Sequence, residues 1–244
     1  MENKKVMTPE QEDAIKSILG DTKGDEYVKV KLPTNGLAYD SEVEIRPFNF
    51  SDEKFALKAD VKRSDFMNVL LDRCIRGIDL DNLFICDKAF LIHKLKEIST
   101  GTEISLNIQC ESCDKENSIQ IDLTLLNETY MNENSEYPLR FNLKNLGKEV
   151  VVKVGRVKDE PYMQSFELLS NNLWRFIESI NGIEDKTVIA DVIPKLPVED
   201  VHEIIKTINL SEYGIDPNFL YICTACGNKQ EVEVPLTANF FGTN

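Results

Sequence analysis

Residues 108–127 read IQCESCDKENSIQIDLTLLN, and residues 221–240 read YICTACGNKQEVEVPLTANF. Each stretch carries one C-x-x-C pair, Cys110 with Cys113 and Cys223 with Cys226. Aligned on the second cysteine, both place apolar residues six, eight and ten positions later: Ile119, Ile121 and Leu123 in the first, Val232, Val234 and Leu236 in the second. Alternation with period two predicts a strand. On the other side of the first pair, Ile104, Leu106 and Ile108 alternate as well. Each pair therefore sits in the turn of a β-hairpin. A helical pattern containing a histidine, HKLKEIS from His93 and HEIIKTI from His202, precedes each hairpin. The chain reads as a weak internal repeat of helix, strand, C-x-x-C and strand.

Two cysteines three apart in a tight turn aim both sulfurs at one ion, and two such turns facing each other supply a tetrahedral four-thiolate shell. Cys110, Cys113, Cys223 and Cys226 are the expected ligands of a structural Zn2+, which would join residue 110 to residue 226 across an insertion of roughly a hundred residues. Four other readings use the same residues. The hairpins can be unmetallated; each pair can form a separate site completed by His93 or His202; the C-x-x-C can be a redox motif; or the thiolates can hold an iron–sulfur centre. A redox C-x-x-C opens a helix within a βαβ unit, whereas strands are expected on both sides here. Cys74 and Cys86 read as small buried hydrophobes.

The 244 residues are 42% hydrophobic and 29% charged, as in a globular protein with a packed core. With 28 Lys and Arg against 42 Asp and Glu, the formal net charge is −14. No dense basic run is present, so sustained contact with nucleic acid or an anionic membrane surface is not expected. The N-terminal MENKKVMTPEQEDAIKSILG lacks a signal-peptide core. No apolar run approaches the roughly 20 residues of a membrane span. The expectation is a protein that stays in the cytoplasm where it is made, so the N-x-[ST] matches at Asn49, Asn127 and Asn209 are fortuitous.

The fold class expected is α+β: zinc-ribbon-like paired β-hairpins with helical segments and an inserted α/β region. Residues 1–24 read as an arm, with Thr8, Pro9 and Gln11 opening a helix and Gly20 stopping it. Residues 25–127 hold a hairpin with a long loop at Pro33–Gly36, two helical stretches capped at Ser51 and Ser64, a helix over 87–99, and the first cysteine knuckle. Residues 128–196 form the insertion, beginning with a polar, flexible 128–136. Two strands around 139–143 and 150–154 follow, then a helix over 160–180 with Phe166, Leu173, Trp174 and Phe176 as an aromatic stripe. Residues 197–244 bring a helix and the second knuckle, and end in Asn239-Phe240-Phe241-Gly242, which either tucks into the domain or enters a neighbour.

No phosphate-binding loop, dinucleotide fingerprint, H-E-x-x-H or G-x-S-x-G occurs, and the chain has two histidines. A four-thiolate zinc has no open position for water. No enzyme, catalytic residue or small-molecule substrate is expected.

The order of these features resembles a known family. The segment KLPTNGLAYDSEVEIRPF, residues 31–48, resembles the LPS-x-G-x-x-Y … I-x-V-R-P opening of baseplate hub proteins of T-even-type contractile-tailed bacteriophages. IHKLKEISTG, TEISLNIQ and CESC follow in that family's order, and CTACGNKQEVEVPLTANFF resembles its second knuckle. The resemblance runs from about residue 27 to the end; the arm has no counterpart in it. It implies a non-enzymatic hub component or assembly factor, with other tail proteins as partners. The implied location is the host cytoplasm during assembly and, for a component, the tail baseplate of the virion. The competing reading is a zinc-ribbon adaptor bridging proteins in a cellular machine; a metalloenzyme would need an exchangeable metal ligand.

Overall fold

The computed structural model describes residues 8–19, 26–58, 66–236 and 240–241. The Thr8 N–H donates to Gln11 Oε1 (3.0 Å) and the Gln11 N–H to Thr8 Oγ1 (3.4 Å), which opens helix α1 (Pro9–Leu19) with the expected capping box. The Gly20 stop and the Ser64 cap lie outside the described residues. β1 (Val28–Lys31) and β2 (Glu42–Ile45) pair antiparallel with Val30 opposite Val43. Two short helices follow, α2 (Phe50–Ala56) and α3 (Phe66–Asp72), and β3 (Ile75–Arg76) then joins the free side of β2. The cap of α2 is Asn49 and not Ser51: Asn49 Oδ1 accepts from the Ser51 and Asp52 amides, and Asp52 returns a bond to the Asn49 N–H. The helix starts two residues earlier because an amide side chain and an aspartate three positions on complete a reciprocal box.

α4 (Ile85–Thr100) is the central helix. Cys86, Phe90, Leu91, Ile92 and Leu95 are all buried, so apolar contacts surround most of its circumference. Gly101 ends it with φ 95°, a conformation a side chain resists. β4 (Glu103–Gln109) and β5 (Glu116–Asp122) form the first knuckle hairpin, with Leu106 opposite Ile119.

The chain enters the insertion through β6 (Glu128–Thr129), and β10 (Gly214–Ile215) of the 197–244 part pairs with it antiparallel and closes the base of the insertion. Residues 128–131 are thus not a loose connection: the Met131 N–H also donates to the Pro33 carbonyl (2.8 Å), and Met131 is buried. Inside the insertion, β7 (Leu139–Asn142), β8 (Glu149–Val152) and β9 (Ile177–Ile180) make a sheet in the order 7-8-9.

The helix expected over 160–180 is corrected. α5 spans only Phe166–Asn172; a 3₁₀ turn, Leu173–Arg175, follows, and 177–180 is strand. Asn171 and Asn172 favour a stop, and pairing with the wholly buried Val150–Val152 of β8 overrides any helical period. Leu173 and Phe176 are core, Trp174 is half-buried and Phe166 is 65% exposed, so the stripe is split between core and surface. α6 (Lys186–Val192) and α7 (Val198–Asn209) complete this layer, with Ile204 and Ile208 of α7 one turn apart in the same core as Val150 and Val152. β11 (Asn218–Ile222) and β12 (Lys229–Glu233) form the second knuckle hairpin. The architecture is α+β, as read from the sequence.

Two polar clamps fix the N-terminal half, and both use residues of the 31–48 segment. Asp87, at the first turn of α4, has no exposed surface; it accepts from the Thr34 N–H (3.1 Å), Thr34 Oγ1 (2.5 Å) and Tyr39 Oη (2.5 Å). Tyr39 Oη accepts in turn from the Phe84 N–H (2.9 Å). Burial raises the Asp87 pKa against these bonds. The second clamp is Asp52, also buried, held by Arg46 Nη1 (2.8 Å) and Nη2 (3.1 Å) and by Arg73 Nε (2.9 Å). Burial disfavours its charge, but bonds from Arg46, the Asn49 amide and Arg73 outweigh that and hold its pKa at about 2.

Tyr39→Phe removes one of the three donors to Asp87 and leaves the Phe84 N–H without an acceptor. It should cost about 2 kcal/mol in urea unfolding; an unchanged midpoint would refute the clamp. A carboxylate with a depressed native pKa stabilises above its unfolded pKa of about 4. That contribution disappears as pH falls through about 2. Asp52→Asn should therefore cost about 3 kcal/mol at neutral pH, and the gap to the parent protein should narrow steadily below about pH 4 in denaturation series.

Candidate metal centre

The two knuckles have one backbone plan. In the first, the Cys110 N–H donates to the Lys115 carbonyl (3.0 Å) and the Asp114 N–H to the Cys110 carbonyl (2.9 Å); in the second, Cys223 N–H to Asn228 O is 2.8 Å and Gly227 N–H to Cys223 O is 2.9 Å. The residue after each second cysteine is left-handed, Asp114 at φ 55° and Gly227 at φ 73°. Aspartate tolerates that region and glycine occupies it freely, so the sequence supports the same sharp turn twice. Side chains tie the knuckles together. The Glu111 N–H donates to Gln230 Oε1 and Gln230 Nε2 to the Gln109 carbonyl, both at 3.1 Å, and Thr224 Oγ1 reaches Asn117 Oδ1 at 3.2 Å. Beneath the cysteines, Ile108 and Tyr221 pack with Leu106, Ile119, Phe219 and Val232 as an apolar floor.

The four sulfurs lie within 4.8 Å of one another. Across the knuckles, Cys110 Sγ is 3.7 Å from Cys226 Sγ, and Cys113 Sγ is 3.8 Å from Cys223 Sγ. No disulfide joins them. Four thiolates bound tetrahedrally at about 2.3 Å from a zinc-sized ion stand about 3.8 Å apart, so the donor set and its spacing fit such an ion. Cys110 and Cys223 are buried, while Cys113 and Cys226 face solvent and leave a way in.

Electrostatics divide the set. The Ala225 amide (3.4 Å from Cys223 Sγ) and the Cys226 amide push the Cys223 thiol down to about 6. The Lys115 amide pulls Cys113 the same way, but the crowding thiols of Cys226, Cys110 and Cys223 prevail and push it up to about 12. Four thiolates this close require a cation to ionise together.

Among the described residues this is the one group of three or more His, Cys, Asp or Glu side chains near enough to share an ion. The histidines are elsewhere. His93 is buried in α4, its Nδ1 3.0 Å from the Ala89 carbonyl and its ring against Phe240; the exposed His202 lies beside Phe166. Neither completes a site with the cysteines. Cys74 and Cys86 are buried in apolar clusters, and burial raises both thiol pKa values, as expected of packing residues. Phe240 and Phe241 tuck into the domain, Phe241 edge-on to Phe48; Asn239 and Gly242 lie outside the described residues. Sequence reasoning did not find Gln230 as the bridge between knuckles, since a lone glutamine in a strand carries no signal. No helix among the described residues is long and apolar enough to cross a membrane.

No curated protein and no solved structure matches this chain. The family model described as T4 bacteriophage base plate protein matches residues 25–242. That span takes in the 31–48 segment with both its clamps, the insertion and both knuckles, and the chain belongs to that family of T4-type baseplate proteins.

Proposed function

We propose that the protein is a non-enzymatic structural or assembly component of the phage baseplate hub, and that Cys110, Cys113, Cys223 and Cys226 hold one structural Zn2+ within it. The observation that carries the first part is the family match over residues 25–242, which brings with it partners among the phage tail proteins and a place in the virion tail. The sulfur spacing of 3.7 and 3.8 Å supports the second. A closed four-thiolate shell gives a metal no position for substrate, so zinc here would supply folding energy and not chemistry. The chain then divides into an arm (1–24), a base closed by the two knuckles (25–127 and 197–244) and an insertion (128–196) to which the base lends α7. Assembly begins in the host cytoplasm. The net charge of −14 disfavours nucleic acid and anionic membranes as partners and favours protein surfaces.

Affinity purification from infected cells should recover other tail proteins; recovery of none would refute the hub role. Mass spectrometry of purified virions separates a retained component from a factor that leaves after assembly.

Elemental analysis should find one zinc per chain, and the cobalt-substituted protein should show a tetrahedral four-thiolate spectrum. Iron in place of zinc would overturn the assignment. Cys223→Ser should lose the metal and several kcal/mol of stability. A variant that melts like its parent would dispose of the metal closure while leaving the hub role to the purification.

A further inference from the structure

In a chain of net charge −14, four cations converge on one cleft of about 500 Å³. Lys153, Arg156, Lys158 and Arg175 line it, with Asp159 as the one carboxylate and the Tyr137 ring on its wall. Lys153 is engaged with Glu178 at 2.7 Å. Among the described residues the other three form no ion pair at 4.0 Å or less; their hydrogen bonds go to neutral acceptors.

Those neutral contacts hold the charges in place. Arg156 Nη1 donates to the Asn82 carbonyl at 2.6 Å, and its guanidinium lies 4.9 Å from the Phe84 ring centre. Lys158 Nζ donates to Asn82 Oδ1 at 3.1 Å. Arg175 Nε donates to Asn172 Oδ1 at 2.9 Å, and its guanidinium lies 4.3 Å from the Tyr162 ring centre and 4.8 Å from that of Trp174. The opposing charge of Asp159 is partly spent, because its Oδ2 accepts from the Arg156 N–H at 3.0 Å. Guanidinium groups fixed by stacking present free donors in a fork that matches a carboxylate, and little entropy remains to be lost on binding.

We infer that this cleft is a docking site for a short Asp- and Glu-rich segment of a neighbouring protein. A nucleic acid offers anions too, but a long polyanion meets the −14 charge of the whole chain, whereas a short acidic segment meets the local cations within a Debye length. A cleft of this volume accepts a few side chains. The inference deepens the hub reading by naming the chemistry of a partner, and rests on that reading only for where the partner is found.

The test is fluorescence-anisotropy titration of the metal-loaded full chain with a labelled eight-residue peptide of alternating Asp and Glu. The Asn/Gln counterpart and a single-stranded oligonucleotide of equal charge are run beside it. The acidic peptide should bind, the neutral one should not, and the oligonucleotide should bind at least tenfold more weakly. Lys158→Gln with Arg175→Gln, both exposed side chains, should weaken the acidic peptide at least tenfold with an unchanged melting temperature; if that pair melts lower, Lys158→Gln alone should still weaken it about threefold. Lys229→Gln on β12, away from the cleft, should leave binding as it was. Absent binding, equal binding of the neutral peptide, or indifference to the cleft variants would overturn the proposal. Equal or tighter binding of the oligonucleotide would overturn it in favour of phosphate. Self-association of the parent abolished by the double variant would overturn it in favour of a second copy. None of these outcomes bears on recovery of tail proteins from infected cells, which tests the hub role separately.

Discussion

The meeting of two cysteine turns more than a hundred residues apart is the constraint on which the rest of the molecule depends. Cys110 and Cys226 are separated by 116 positions, yet their sulfurs lie 3.7 Å apart. Bringing such distant points together costs loop-closure entropy, which grows slowly with length but must be met by favourable contacts. The knuckles supply these in three layers: the apolar floor under the sulfurs, the reach of Gln230 across to Gln109 and Glu111, and the donor set itself. Once they face each other, everything between must leave and return at one place. The β6–β10 pair marks that place, with Thr129 opposite Gly214.

The insertion has its own core, in which β8 is buried between β7 and β9 and α7 lays Ile204 and Ile208 against it. It is joined to the central helix by backbone as well as side chains. The Ile85 N–H donates to the Gly155 carbonyl, and the Gly155 N–H to the Ile208 carbonyl, linking the start of α4 to the end of α7 through one residue. A contact that widened this path would be felt at both ends. A Cβ at Gly155 would come within 2.6 Å of the Met163 methyl, the end of a flexible side chain that would have to move aside.

The 31–48 segment has a physical explanation in the two clamps. Thr34 and Tyr39 both end on Asp87, and Arg46 ends on Asp52. In each case a buried carboxylate is surrounded by donors, from far along the chain at Asp87 and from the neighbouring Arg46 and Asn49 together with Arg73 at Asp52. Such groups are costly to desolvate and are tolerated only when satisfied. The residues that made the segment recognisable are therefore those that orient the loop and α2 against the rest of the fold.

Much of this was legible in the sequence. Turn chemistry and period-two alternation are local, so the two hairpins, the course of α4 and the four cysteines could be read directly, and the order of short motifs pointed to the family. What the sequence could not decide depends on partners far away in the chain. Residues 177–180 are strand because Val150–Val152 is there to receive them, a fact no window around Ile177 contains. Glu128 and Thr129 are ordered because Gly214 and Ile215 return beside them. Lys153, Arg156, Lys158 and Arg175 look like ordinary surface charge along an acidic chain, and only the turn after β8 and the 3₁₀ turn before β9 bring them to one cleft. Local propensity is written residue by residue, whereas the convergence of charges and the choice between helix and strand are settled by long-range packing.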